Sequence, residues 1–302
     1  MRRTSALVAT ITVLGLLGGC VQPVVSLSPS PSASALSVDL TAPGQARTMV
    51  RKLIAKAGTP DLIQVEISQL WAAITVVKNG QPESWAWRDD TIKQVDTDVV
   101  NVAQTVFSID DFNIDDVGAL FRSAAGISGS ESSQQLQIVD SSSGDVFMSV
   151  STNPESRTVF FYPNASLLPT LDFNTAGGIN QGLADVTASR ATAVAIGVQS
   201  TVGAWLDYAG STTSTVRRLR TATVPVTINE RSQRPDLPLF SAARVNAGAI
   251  WRVLEAARQR GEFDATTRWQ VTVDARNGVP RMYFTIGTES LVTDLDGREV
   301  PS

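Results

Sequence analysis

The chain holds a single thiol, Cys20, and no imidazole at all. Without histidine, Ser/His/Asp and Cys/His nucleophile pairs, His-ligated zinc and imidazole acid–base catalysis are excluded. Serine assisted by lysine lacks a motif, because the lysines are only Lys52, Lys56, Lys78 and Lys93 and no Ser-x-x-Lys occurs. Gly126, Gly129 and the pair Gly177-Gly178 have neither the spacing nor the lysine of a phosphate-cradling loop. A glycosidase needs only two carboxylates, and composition alone leaves that chemistry open among 29 acidic residues. The expectation is a protein that is not an enzyme, with no cofactor and no metal site.

Three further groups carry charge or large rings. Asp110, Asp111, Asp115 and Asp116 could offer oxygen ligands to calcium, but they lack the loop spacing with its central glycine. Their placement before an apolar run suits a helix N-terminus, where carboxylates meet free backbone donors. Arg217, Arg218 and Arg220, with Arg231 and Arg234 close by, form the one basic concentration. On a strand Arg218 and Arg220 share a face, offering either a contact for an acidic partner or a solvated strand that discourages edge pairing. Trp85 and Trp87 likewise share a strand face, as a strip for a sugar or acyl chain or as core beneath a helix. Trp251 and Trp269 read as two sides of one core contact.

The first 19 residues form a leader: Arg2 and Arg3, an apolar run from Ala6 to Leu17, then Gly18 and Gly19 before Cys20. The run is shorter than the roughly 20 apolar residues that span a bilayer, and no second run follows, so the mature chain is expected not to be an integral membrane protein. Leu17-Gly18-Gly19-Cys20 resembles the lipobox of a bacterial lipoprotein of Gram-positive, actinobacterial type. That resemblance implies cleavage before Cys20, lipidation of Cys20 with chains such as palmitate, and a lipid anchor on the extracytoplasmic face of the cell membrane. The alternative is an ordinary secretory signal. One thiol cannot form an internal disulfide, so the exported chain depends on its core.

Residues 20–42 are rich in Pro, Ser and Val, as in Ser26-Leu27-Ser28-Pro29-Ser30-Pro31-Ser32, and read as a tether or a tail without a mechanical role. Loss of the leader removes two arginines, so 23 basic side chains face 29 acidic ones and the formal charge moves from −4 to −6. A surface of that sign disfavours nucleic acid or anionic phospholipid as a broad-surface partner.

The elements that must position these groups recur. Helical spacing marks Gln45–Ala57, a segment after Asn113 ending near Gly126, a weaker one around Ile179–Val186, and Arg244–Arg260. Starts about 65 residues apart, each followed by strand patterns, predict tandem αβββ repeats. Asn79-Gly80 and Asn277-Gly278 both read as hairpin turns between β-branched and aromatic runs, with Ser143-Gly144-Asp145 in an equivalent place. The predicted class is α+β, with antiparallel sheets each packed by helices. Paired units give two similar domains, 43–169 and 170–302.

A helix followed by hairpins of this kind is similar to PepSY-like tandem modules of secreted bacterial proteins. That resemblance implies binding or regulation rather than chemistry, and transfers no functional residue. Together the readings predict a lipid-anchored, non-enzymatic binding or scaffolding lipoprotein of the cell envelope, contacting an envelope protein. The alternative is a carrier for a lipid or other amphiphile. Substitution Cys20→Ala is expected to abolish incorporation of an alkyne-labelled fatty acid and to shift the protein from the membrane to the soluble fraction. Persistence of the label in that variant would refute acylation at Cys20.

Overall fold

The computed structural model describes residues 38–97, 104–140, 144–152, 157–188 and 190–301. The expected leader, Leu17 to Cys20 and nearly all of the expected tether lie outside them. The described residues are α+β: four α-helices and two antiparallel seven-stranded sheets. The first lobe runs α1 (Gln45–Ala57), β1 (Leu62–Ile67), β2 (Trp71–Lys78), β3 (Gln81–Arg88), β4 (Thr91–Val95), α2 (Val117–Ser128), β5 (Gln135–Asp140), β6 (Val146–Ser151) and β7 (Val159–Phe161). Its sheet has the order β4-β3-β2-β1-β5-β6-β7, so two meanders join through their first strands.

Strand alternation gives this sheet one apolar face. Val65 pairs with both Ile74 and Ile138, Ile67 with Ala72 and Leu136, and the row continues through Met148 and Val150 to Phe161 and Val159. These side chains are buried with Met49, Val50 and Leu53 of α1 and Leu120, Phe121 and Ala124 of α2. Each large aliphatic group so covered stabilises the fold by about 1.5–3 kcal/mol. The opposite face carries Gln64, Glu66, Thr75, Ser84 and Gln137, with Thr75 and Ser84 hydroxyls 2.9 Å apart. Trp87 and Trp85 lie on the apolar face, opposite Ala72 and Ile74. Trp87 is 4% exposed and Trp85 packs against the same core.

The second lobe runs α3 (Ala176–Thr187), β8 (Thr192–Ala193), β9 (Ala195–Gln199), β10 (Gly203–Ala209), β11 (Thr215–Arg220), β12 (Thr227–Arg231), β13 (Phe240–Ser241), α4 (Ala247–Gln259), β14 (Trp269–Asp274), β15 (Arg281–Ile286) and β16 (Glu289–Thr293). Its sheet order, β12-β11-β10-β9-β14-β15-β16, reproduces that of the first lobe, while β8 and β13 pair separately. Ile196, Val198, Leu206, Val271, Val273, Met282 and Phe284 form a second core with Ile179 and Leu183 of α3 and Ile250 and Leu254 of α4. Trp269 belongs to this core and donates from Nε1 to Asn174 Oδ1 at 3.0 Å; Trp251 packs at its edge. No helix of the described residues is long and apolar enough to cross a membrane.

Three expectations need correction. Four strands, not three, follow α1 and α3 in the large sheets. The extra strand β4 is mostly exposed and pairs only with β3, so it shows little alternation; Asp89 and Asp90 make its turn at φ 51° and 57°. The two Asn-Gly turns are not equivalent either. Asn79 and Gly80, at φ 54° and 75°, form a two-residue turn from β2 to β3, whereas Asn277-Gly278 sits in a longer connection between β14 and β15, the first two strands after α4. In the latter only Gly278 has positive φ, and its N–H donates to Ala275 at 2.8 Å. Of the two readings of Trp85 and Trp87, the exposed strip falls and the core beneath the helices holds. Substitution Trp87→Ala is therefore expected to cost about 3–5 kcal/mol in urea unfolding. A loss under about 1 kcal/mol would contradict the buried placement.

Candidate functional site

Two of the three arginines of β11, Arg218 and Arg220, do not face solvent. Alternation places Val216, Arg218 and Arg220 on the helix side of the sheet, where Arg218 lies opposite Leu206 and Arg220 opposite Ala204. Arg217 and Leu219 point the other way. Arg218 is 3% exposed and Arg220 1%. The expected solvated strand is thus overturned, because α3 lies across this face, and the two side chains line a cleft rather than an open surface.

The two guanidinium groups meet the end of α3. Arg218 Nε donates to the Val186 carbonyl at 3.0 Å and Nη2 to the Asp185 carbonyl at 3.3 Å. The last carbonyls of a helix lack intrahelical donors, and a cation there also complements the helix dipole. Arg220 Nε donates to the Asp185 carboxylate at 3.0 Å, Nη2 to the Pro169 carbonyl at 2.9 Å and Nη1 to the Val224 carbonyl at 2.7 Å. This one side chain therefore ties β11 to α3, to the segment that links the lobes, and to the loop before β12.

Beside this pair the first lobe and the second enclose a cleft of about 490 Å³. The first lobe contributes Phe107, Phe112, Phe147 and Tyr162; Leu168 comes from the link, and Arg218, Arg220 and Val226 from the second lobe. Phe107 meets Phe112 edge-on at 5.2 Å, and Phe147 lies 6.3 Å from Tyr162. Asp145, on the rim, is 3.8 Å from Arg218 Nη2. Burial and the neighbouring Asp185 raise the pKa of the Tyr162 phenol above its ordinary value, so it stays protonated in the physiological range.

The other groups have structural partners. Asp116 caps α2 by accepting from the Ala119 N–H at 2.8 Å. Asp115 takes Arg47, and Asp110 accepts from Arg51 at 2.9 Å. Among the described residues no cluster of three His, Cys, Asp or Glu is arranged to hold a metal ion. On the outer face of the second sheet, Arg217 makes two hydrogen bonds to Asp207, at 2.7 and 2.8 Å, and lies 4.1 Å over Trp205.

Asp145, Phe112, Leu168 and Asp185 carried no signal in the sequence as site residues, because they converge from different lobes. One signal was present for the arginines: Val216-x-Arg218-x-Arg220 gives them the parity of a buried valine.

No family model and no curated protein matches this chain. Solved structures to which it is similar include the Helicobacter pylori beta clamp in complex with 5-chloroisatin, at 10% identity over 88% of this chain and 63% of the clamp, with a TM-score of 0.17. The same clamp bound to a DNA ligase peptide matches at 10% identity, 88% and 67% coverage and a TM-score of 0.17. Its complex with carprofen matches at 9%, 85% and 63%, with a TM-score of 0.16. This chain thus spans 63% of the first of these proteins. At such TM-scores the likeness carries no argument about function.

Substitution Arg220→Ala strands Asp185 and several carbonyl acceptors, and is expected to cost about 3–5 kcal/mol in chemical denaturation. Exposed Arg234→Ala should change stability by less than about 0.5 kcal/mol. Equal values for the two would contradict this tying role of Arg220.

Proposed function

We propose that this chain is a lipid-anchored, non-enzymatic binding lipoprotein on the extracytoplasmic face of the cell membrane. The anchor is Cys20, within the lipobox Leu17-Gly18-Gly19, and residues 20–42 tether the folded body. In this reading 43–169 and 170–302 are two related domains, each repeating a helix followed by an antiparallel meander. The identical strand order of the two sheets supports that repetition.

The cleft between the lobes is the observation that carries the binding reading. It combines aromatic walls with buried cations, and Arg220 braces the elements around it. The first occupant considered is an envelope protein, with no nucleic acid as partner. A second reading, capture of an amphiphilic small molecule, is favoured by volume: about 490 Å³ falls within the usual range of small-ligand sites, roughly 300–1,000 Å³. The layers between sheets and helices are filled by Trp87, Phe161, Trp269 and Phe284, which speaks against a carrier cavity inside either lobe.

A photo-crosslinking residue in place of Phe147, tested in cells of a lipoprotein-exporting host, is expected to capture one discrete species. The same residue at Val279, an exposed position between β14 and β15, should capture none. A large shift in gel mobility marks a protein partner, and a small mass increment marks an amphiphile. Failure at 147, or the same products at both positions, refutes the cleft as the binding site.

A further inference from the structure

Arg218 is an under-neutralised cation in an apolar cleft. Its Nε and Nη2 donate to neutral carbonyls, and its Nη1 makes no hydrogen bond among the described residues. The carboxylate nearest to it, Asp145, lies 3.8 Å away, with a side chain 55% exposed and therefore screened by water. Asp185 spends its carboxylate on Arg220 Nε and Gln181 Nε2. Burial is the largest influence on Arg218 and pulls its pKa below the ordinary value; Asp145 opposes this, and Arg190, a second cation, acts with burial. The guanidinium nevertheless keeps its charge.

A buried cation of this kind gains most from an anionic acceptor that enters the site. The walls beside it, Phe107, Phe112, Phe147 and Leu168, present hydrocarbon. Tyr162 adds a second donor, since its hydroxyl has no hydrogen-bond partner among the described residues and stays protonated. Asp111, also on the rim, is exposed, so with Asp145 it opposes an anion only through a screened field, while Asp185, 19% exposed and also in the lining, is paired with Arg220 at 3.0 Å.

We propose that the cleft binds an anionic amphiphile, its apolar chain against Phe107, Phe112, Phe147 and Leu168 and its head accepting hydrogen bonds from Arg218 Nη1 and the Tyr162 hydroxyl. This inference rests on the reading of the cleft as a binding site and names the ligand chemistry. The head is a carboxylate, as in a fatty acid, or a phosphate, as in a phosphorylated lipid.

The test titrates dodecanoate, dodecyl phosphate, dodecanol and dodecyltrimethylammonium by calorimetry into the exported Cys20→Ser chain, purified without detergent. One anionic probe is expected to bind at a single site at least about tenfold more tightly than the alcohol and the cation. Whichever anion binds more tightly identifies the source. Substitution Arg218→Gln should lower that affinity about tenfold or more while leaving dodecanol binding unchanged, and Arg218→Lys should restore part of it. Because Arg218 also caps α3, Tyr162→Phe provides a variant that removes no hydrogen bond of the fold, with an expected loss of about threefold to tenfold. Dodecanol binding as tightly as both anions, absence of binding by either anion, or affinities unmoved by Arg218→Gln and Tyr162→Phe alike would overturn the proposal. A crosslink at position 147 combined with such titrations would retain the cleft and exclude this ligand class.

Discussion

Burial of Arg220 is the constraint on which the rest of the second lobe turns. A guanidinium withdrawn from water is costly unless its N–H groups meet acceptors. Here the acceptors come from Asp185, Pro169 and Val224, so satisfying one side chain fixes the end of α3, the link between lobes and the loop leading to β12. Arg218 extends the arrangement to the last carbonyls of α3 and approaches Asp145 of the first lobe. The cleft exists where it does because these groups hold its floor. Arg220 spends Nε, Nη1 and Nη2 on four acceptors and acts as a brace, while Arg218 Nη1 makes no hydrogen bond among the described residues.

The sheets obey a simpler rule. Each has one face covered by helices and one left to polar or mixed side chains, as expected of antiparallel sheets. On the open face of the second sheet, Gly197 allows the Trp205 ring to lie flat, since a Cβ there would come within 2.4 Å of it. Arg217 then stacks on that ring while gripping Asp207. The same strand β11 thus presents arginines to both faces, and their roles differ because of what each face packs against.

Much of the secondary structure was legible in advance. The apolar spacing of Gln45–Ala57 and the glycine that follows it coincide with α1, whose end is capped by Gly58 at φ 79°. The second helix begins at Val117 because Asp116 supplies the cap, and the third is longer than its pattern suggested because Thr175 caps it through the Gly178 N–H at 3.1 Å. The edge strand β4 escaped notice because it buries little and so has no reason to alternate. The echo between Asn79-Gly80 and Asn277-Gly278 reflected a shared turn chemistry rather than a shared place in the fold.

By itself the sequence determined chemistry that depends on residue identity: a chain without histidine, a lone cysteine after an apolar run, helices with an apolar stripe and strands that alternate. Those features are local, written within a few residues of one another. Tertiary structure decided which side of β11 faces α3, and therefore that Arg218 and Arg220 are buried rather than solvated. It also decided that Trp85 and Trp87 belong to a core, and that Phe112, Phe147, Leu168 and Asp185 meet around one cleft. Such assignments depend on contacts between residues tens of positions apart, whose energy appears only when water is excluded from both partners.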